Sequence, residues 1–334
     1  MQIDLVPIWT LIIGVGVFMY VLLDGFDLGV GVLSVTAASE DERSLMMNTV
    51  APVWDGNETW LVLGGTALLA AFPLAFAIII PAVYFPVMLM LLGLILRGVA
   101  FEFRMKSVRA MPWWNRSFFA GSVIATFFQG VVLGKFVQGF AVAGRHFAGG
   151  SFDFIRPFPL LTGVGLLFGY TLLGSTWLVM KTQGEVQRKS RQQASLLLFG
   201  VLAFIVMVSI WTPFLNDQIA RRWFTWPHMA YLAPVPLVTA LIAYATWHAL
   251  RTGAETVPFL GAMGLFIMCY LGLGISVFPY VVPYSVTLWQ AAASPNSLTF
   301  LLVGTMFLLP LVFLYTFWSY YVFRGKVRAD AGYH

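Results

Sequence analysis

Nine apolar stretches of about 20 residues or more dominate this 334-residue chain. The hydrocarbon core of a bilayer is about 30 Å thick and an α-helix rises about 1.5 Å per residue, so each stretch is long enough to cross it. They lie at residues 8–36, 52–75, 79–103, 117–142, 158–180, 194–215, 228–249, 258–280 and 298–323. The sequence therefore predicts an all-α integral membrane protein with about nine transmembrane helices. We expect one polytopic domain over 1–334, with helix groups at 1–143 and 158–323, and a tight hairpin between the second and third spans.

The composition excludes an ordinary soluble protein. Hydrophobic residues make up 60% of the chain and charged residues 10%, with a mean hydropathy of +0.85, whereas soluble domains are about half apolar and a quarter charged. The single cysteine, Cys269, excludes an internal disulfide and a cluster of thiolate ligands. The isoelectric point of about 9.4 does not indicate nucleic-acid binding, because most of the Lys and Arg residues lie outside the predicted spans, where they set topology.

The basic residues are divided unequally between the two sides of the predicted bundle. Of 19 Lys and Arg residues, the N-terminal side holds four and the opposite side, including the C-terminal tail, holds thirteen; the other two, Arg97 and Lys135, lie within predicted spans. Cytoplasmic loops of membrane proteins carry the excess of Lys and Arg. We therefore predict that the N-terminus lies outside and the C-terminus in the cytoplasm.

The first three spans carry charged side chains, which are expensive in hydrocarbon and usually functional. They are Asp24 and Asp27 in the first span, Asp55 and Glu58 in the second, and Arg97 and Glu102 in the third. In the predicted orientation all six lie toward the cytoplasmic side, and the spacing of three places each pair of acids on one helix face. We therefore predict that they converge at one point. Gly25 and Gly29 are four residues apart and predict a close approach by another helix.

Two interpretations of these acids remain open. Carboxylates near an interface can hydrate, cap a helix or pair with arginine, which would make them structural. Alternatively, desolvation and mutual repulsion in a confined site favour protonated carboxyl groups, so that protons can pass through them. In that case Arg97 is the charge partner that keeps one acid ionised.

The histidines do not indicate a haem site in this chain. His146 lies in an outer connection, His228 and His248 at opposite ends of the seventh span, and His334 at the C-terminus. No two of them are expected at similar depth on facing helices, as axial ligation requires. The sequence predicts no metal or haem bound by this chain alone and shows no catalytic constellation.

Three segments carry a resemblance to a known family. In order along the chain they are DGFDLG at residues 24–29, APVWDGNETW at 51–60 and LRGVAFEFR at 96–104. They resemble subunit II of the cytochrome bd-type quinol oxidases, and the length is similar to the cyanide-insensitive branch. The family motif is carried by Trp54, Gly56, Asn57 and Trp60.

The resemblance implies a nine-helix subunit in the bacterial inner (cytoplasmic) membrane, packed against a haem-bearing subunit I. Subunit I would oxidise quinol at the outer face and reduce dioxygen to water, using haem b and haem d, or haem b in place of haem d. A small single-span accessory subunit and a structural quinone are further partners found in this family. Membrane lipid surrounds the complex, and no nucleic acid is involved.

The resemblance also implies a cytoplasmic proton path at the subunit interface, which includes Asp55 and Glu102. The full set predicted for this path is Asp55, Glu58, Asp24, Asp27 and Glu102. The chain departs from the family pattern at three positions. Many relatives have His where this chain has Val53 and Gln where it has Glu58, and the family pattern has an acid where this chain has Gln290. Two other functions remain open: a proton-coupled secondary transporter, which would need charges near the midplane and repeated halves, and a purely structural membrane subunit.

Overall fold

The structure, a computed structural model, describes residues 4–104, 106 and 109–327. Arg328, counted among the basic residues above, and His334 lie outside the described residues. The helices are α1 (Leu5–Leu33), α2 (Glu40–Asn48), α3 (Trp54–Ala71), α4 (Pro73–Ala82), α5 (Tyr84–Arg104), α6 (Met111–Gln138), α7 (Pro157–Lys181), α8 (Gly184–Leu215), α9 (Asp217–Phe224), α10 (His228–Leu232), α11 (Pro234–Thr252), α12 (Val257–Val277), α13 (Leu288–Ala291) and α14 (Pro295–Val322). Two antiparallel hairpins pair β1 (Val142–Ala143) with β2 (His146–Phe147) and β3 (Tyr280–Val282) with β4 (Val286–Thr287).

Within the described residues, eight helical segments are long and apolar enough to cross a membrane. They comprise α1 with the following 3-10 turn, α5, α6, α7, α8, α10 with α11, α12 and α14. The predicted all-α membrane class is thus confirmed. The second predicted span is not among these eight; it begins as α3, which has 18 residues and carries Asp55 and Glu58 near its start. These acids lower the mean hydropathy of α3. The count of nine crossings therefore remains a prediction, and so does the sidedness, which depends on that count.

The second predicted span ends earlier than the sequence indicated. The backbone leaves the helical conformation at Phe72 (φ −129°, ψ 63°), and Pro73 begins α4. Proline suits the first turn of a helix, where its missing N–H has no intrahelical partner to lose. The expected tight hairpin is therefore replaced by α4, a ten-residue helix. This helix packs against β2, β3 and α13.

Polar contacts join the basic connections at one end of the bundle. Arg104 at the end of α5 donates to Glu40 of α2 at 3.0 Å. Gln187 near the start of α8 and Lys326 after α14 both donate to Glu255, which lies between α11 and α12, at 2.9 and 2.7 Å. We call this end of the bundle the basic end. At the opposite end, the β-hairpins and α13 pack around α4 and the start of α1.

Close packing between α1 and α7 sets the position of the acids on α1. A Cβ atom at Gly29 would lie 1.8 Å from the carbonyl oxygen of Tyr170, and one at Gly25 would lie 2.8 Å from the Tyr170 ring. On α7, a Cβ atom at Gly174 would lie 2.4 Å from the Gly29 carbonyl carbon. Only glycine permits such an approach of two backbones. The close approach predicted from Gly25 and Gly29 is confirmed, and it draws the second half of α1 into the core.

Candidate functional site

Four charged side chains from three helices meet inside the bundle, toward the basic end. Asp24 and Asp27 come from α1, Glu58 from α3 and Arg97 from α5. Asp24 and Arg97 are fully buried, Asp27 is 1% exposed and the Glu58 side chain is 26% exposed. We call these four residues the charge cluster.

Arg97 bridges two of the acids. Its Nη1 donates to Asp24 Oδ1 at 2.7 Å, and its Nη2 donates to Glu58 Oε1. The guanidinium also lies over the Trp54 ring, 5.9 Å from the ring centroid. A planar guanidinium presents its N–H groups in a fixed fork, which suits it to hold two carboxylates at once. Arg97 therefore ties α1, α3 and α5 together at one depth.

Asp27 is held by an amide rather than by Arg97. Asn57 Nδ2 donates to Asp27 Oδ2 at 2.6 Å and to the Leu23 carbonyl oxygen at 3.3 Å. The other end of the same amide, Oδ1, accepts a hydrogen bond from the Tyr320 hydroxyl of α14 at 2.9 Å. With two acceptors facing Nδ2 and a hydroxyl facing Oδ1, the neighbours of Asn57 favour this amide orientation.

The charge cluster holds three carboxyl groups and one guanidinium, so it carries a charge of −2 when every member is ionised. Asp24 Oδ2 and Asp27 Oδ1 are buried, and neither atom has a hydrogen-bond partner among the described residues. Burying an uncompensated charge is costly, and each bound proton removes one negative charge. The arrangement therefore has the chemistry of a proton-binding site.

The structure leaves two of the six predicted residues outside the cluster, which corrects the expectation that all six converge. Asp55 is exposed on α3, one turn before Glu58. Glu102 is also exposed and lies 3.8 Å from the Lys106 ammonium. Successive helical residues are about 100° apart, so Glu102 lies about 140° around α5 from Arg97. The sequence therefore brought four of the six residues together but did not predict the helix faces of Asp55 and Glu102.

The family motif residues pack α3 between its neighbours. Trp54 stacks on Phe101 of α5, with ring centroids 5.1 Å apart. A Cβ atom at Gly56 would lie 3.2 Å from the ring of Tyr315 in α14, and Trp60 is fully buried. These contacts fix the rotation of α3, so that Asn57 faces Asp27 of α1 and Glu58 faces Arg97 of α5.

Tyr320 was not predicted from the sequence, and neither were two buried tyrosines near the cluster, Tyr20 and Tyr170. Tyr20 lies one turn before Asp24 on α1, and Tyr170 of α7 accepts a hydrogen bond from Gln129 Nε2 at 2.8 Å. Tyr320 lies 263 residues from Asn57 in the chain. The only available signal was a polar aromatic residue in an apolar span, which interfacial tyrosines share.

The described histidines do not fit an axial pair for haem. His146 on β2, His228 at the start of α10 and His248 on α11 are all exposed. Among the residues that the structure describes, no three His, Cys, Asp or Glu side chains are grouped to hold a metal ion. No step of haem chemistry can therefore be derived from these residues.

The fold and the cluster define a multi-pass membrane protein with buried ionisable groups, the class in which such groups mark proton or ion pathways. The sequence profile of the cytochrome bd terminal oxidase subunit II family matches residues 5–323. The chain belongs to this family.

Relatives and a solved structure agree with this assignment. The chain is 30% identical to cytochrome bd ubiquinol oxidase subunit 2 of Bacillus subtilis, over 96% of each chain. It is 29% identical to cytochrome bd-I ubiquinol oxidase subunit 2 of Escherichia coli, over 97% of this chain and 95% of that protein. The fold matches a chain of the bd oxidase from Geobacillus thermodenitrificans with a TM-score of 0.76 and 17% identity, covering 96% of this chain and all of that one (100%).

Proposed function

We propose that this chain is the non-catalytic, proton-supplying subunit of its oxidase. As a member of the subunit II family, it is part of a bd-type quinol oxidase complex, a membrane oxidoreductase that contains haems and a subunit I. Reduction of dioxygen to water consumes protons as well as electrons. The charge cluster supports the proposal because it offers more carboxyl groups than its single cation can neutralise.

A proton would enter this site from the basic end. Asp55 is exposed one turn from Glu58, and the Glu58 side chain still reaches the surface. Protons taken up at Asp55 would pass to Glu58 and then to Asp24 and Asp27, while Arg97 limits the number held at one time. Glu102 would serve as an exposed acid that collects protons at the same end. In the predicted orientation this end faces the cytoplasm.

The family supports the remaining features of the complex. We place quinol oxidation and dioxygen reduction in subunit I, with haem b and either haem d or a further haem b. We also place the complex in a bacterial cytoplasmic membrane, with a small single-span accessory subunit. The exposed face of α3 around Asp55 is the surface that we assign to contact with subunit I, because an ionisable group on a spanning helix needs a polar neighbour or water.

The two alternative functions have less support. Secondary transporters bind their substrates near the bilayer midplane on broken helices. Here α1 and α5 continue unbroken through their charged residues, which lie toward one end. If the subunit were purely structural, the acids could be neutralised without loss of turnover.

The assembled complex provides the test of proton supply. Asp27→Asn removes a proton-binding carboxyl group but keeps an acceptor for Asn57. We expect quinol-dependent oxygen consumption to fall about tenfold or more, as for other removed proton donors, with an unchanged haem absorption spectrum. Asp55→Asn should also lower quinol-dependent oxygen consumption. Asp41→Asn, an exposed acid on α2, is the matched control and should have no effect.

Two outcomes would contradict the proposal. Normal oxygen consumption by the Asp27→Asn complex would show that the cluster does not supply protons. Loss of haem absorption together with activity would show that Asp27 maintains the assembly instead.

A further inference from the structure

We propose that Tyr320 of α14 is a positioning residue for proton exchange at Asp27, and that it acts through Asn57. The inference rests on the proposed function and extends it to a helix that contributes no charged residue to the cluster. Its basis is the continuous hydrogen-bonded series from the Tyr320 hydroxyl through the Asn57 amide to the Asp27 carboxylate.

Tyr320 is held at a well-defined position although most of α14 is exposed. Leu298 is the buried residue of α14, near its start, whereas Tyr320 lies more than 20 residues further on, near the end of the helix. The Tyr320 ring packs edge-on against Phe26 of α1 and Trp177 of α7, with centroid distances of 6.3 Å to each. These aromatic contacts fix the ring and direct the hydroxyl to Asn57.

The Asn57 amide separates Asp27 from a small cavity between α3 and α14. The cavity has a volume of about 10 Å³ and is lined by Asn57, Tyr320 and Ser319, among others. This volume is near the minimum that admits one water molecule, and polar groups are present to bind it. Asp27 does not line the cavity. A side-chain amide does not carry protons at neutral pH, so Asn57 controls Asp27 by its orientation and not by relaying the proton itself.

The orientation of Asn57 matters because Arg97 does not contact Asp27. Arg97 is occupied by Asp24 and Glu58, and the other charged group near Asp27 on its own helix is Asp24. The N–H of Asn57 is therefore the hydrogen bond that stabilises an ionised Asp27 between two other acids. The Tyr320 hydroxyl is the titratable group that approaches from α14. By engaging Oδ1, it keeps Nδ2 turned toward Asp27.

The experiment compares Tyr320→Phe with Tyr321→Phe in the complete oxidase. The first variant keeps the aromatic ring and removes the hydroxyl, whereas the second removes the hydroxyl of a neighbouring exposed tyrosine. Without its partner, the Asn57 amide is free to rotate and Asp27 releases its proton less readily. We expect the acid limb of the pH profile of oxygen consumption to move toward higher pH by about 0.5–1 unit for Tyr320→Phe. Tyr321→Phe should leave the profile unchanged, and haem absorption should be normal in both.

A second variant separates this role from a general effect on packing. In an Asn57→Ala background, Tyr320→Phe should cause no further shift, because neighbours that act through one another are not additive. If Tyr320→Phe prevents assembly, Asn57→Ala alone should give the same alkaline shift. The inference would be overturned if Tyr320→Phe shifted the pH profile as much in the Asn57→Ala background as in the wild-type chain. It would also be overturned if one of the two single variants assembled and left the profile unchanged.

The proposed function and this inference fail in different ways. If Asp27→Asn abolishes turnover while Tyr320→Phe leaves the pH profile unchanged, proton supply stands and the role of Tyr320 is wrong. If Asp27→Asn retains full turnover, both are wrong.

Discussion

Replacing Arg97 with methionine tests the energetic basis of the charge cluster. The substitution leaves Asp24 fully buried and Glu58 largely buried without their shared cation. Removing one partner of a buried ion pair costs about 3–5 kcal/mol, because a charge remains without compensation. Since the Glu58 side chain reaches the surface and both acids can bind protons, we expect the lower part of this range, about 3 kcal/mol.

Lys106→Met is the matched control for Arg97→Met. Lys106 faces Glu102 at 3.8 Å, and both side chains are more than 60% exposed (68% and 63%). An exposed pair of this kind contributes about 0–1 kcal/mol. The free energy of unfolding of the reconstituted complex, followed by denaturant titration with haem absorption as a check on assembly, should fall clearly in Arg97→Met alone. Adding Asp24→Asn to Arg97→Met should restore part of the loss. Equal stability of Arg97→Met and Lys106→Met would refute the interpretation of a buried, compensated cluster.

Two further predictions concern packing and the basic end. Gly29→Ala would press a methyl group against the backbone of α7 and should lower the free energy of unfolding by about 1–3 kcal/mol, whereas Gly272→Ala, in open space, should be neutral in the same titration. The N–H of Ala38 and the ammonium of Lys189 hold the pKa of Glu42 below its ordinary value of 4.5. Because its folded-state pKa is lowered, Glu42 contributes stability above about pH 4.5 that is lost as the pH falls through the folded-state value. Glu42→Gln should therefore flatten the stability profile in that acidic window, and an unchanged profile would exclude this contribution.

The class of fold followed from the sequence because span length and hydropathy are local properties. The apolar stretch at 158–180, for example, corresponds closely to α7, and the glycine pair in α1 predicted a close approach by another helix, which the structure shows to be α7. Short elements were not predicted. The nine-residue helix α2 and the two small hairpins carry no long periodic pattern, and the break at Phe72 depends on packing at the end of the bundle.

The candidate site was only partly predictable for a related reason. Asp24 and Arg97 could be placed at one membrane depth by counting residues from the span ends. Which face each residue occupies depends on how the helix is rotated, and this separated Glu102 from the cluster. Contacts made by the last helix, such as Tyr320 with Asn57, require the tertiary structure.

Infrared difference spectroscopy of the complete oxidase offers the most direct measurement of the central claim, that the cluster binds a proton used in dioxygen reduction. The difference spectrum of the enzyme during turnover minus the resting enzyme should contain a band of a protonated carboxyl group, and this band should shift on deuterium exchange. This band should be lost in Asp27→Asn and retained in Asp41→Asn. A spectrum without a carboxyl band, or an identical band in the Asp27→Asn complex, would contradict proton binding at this site.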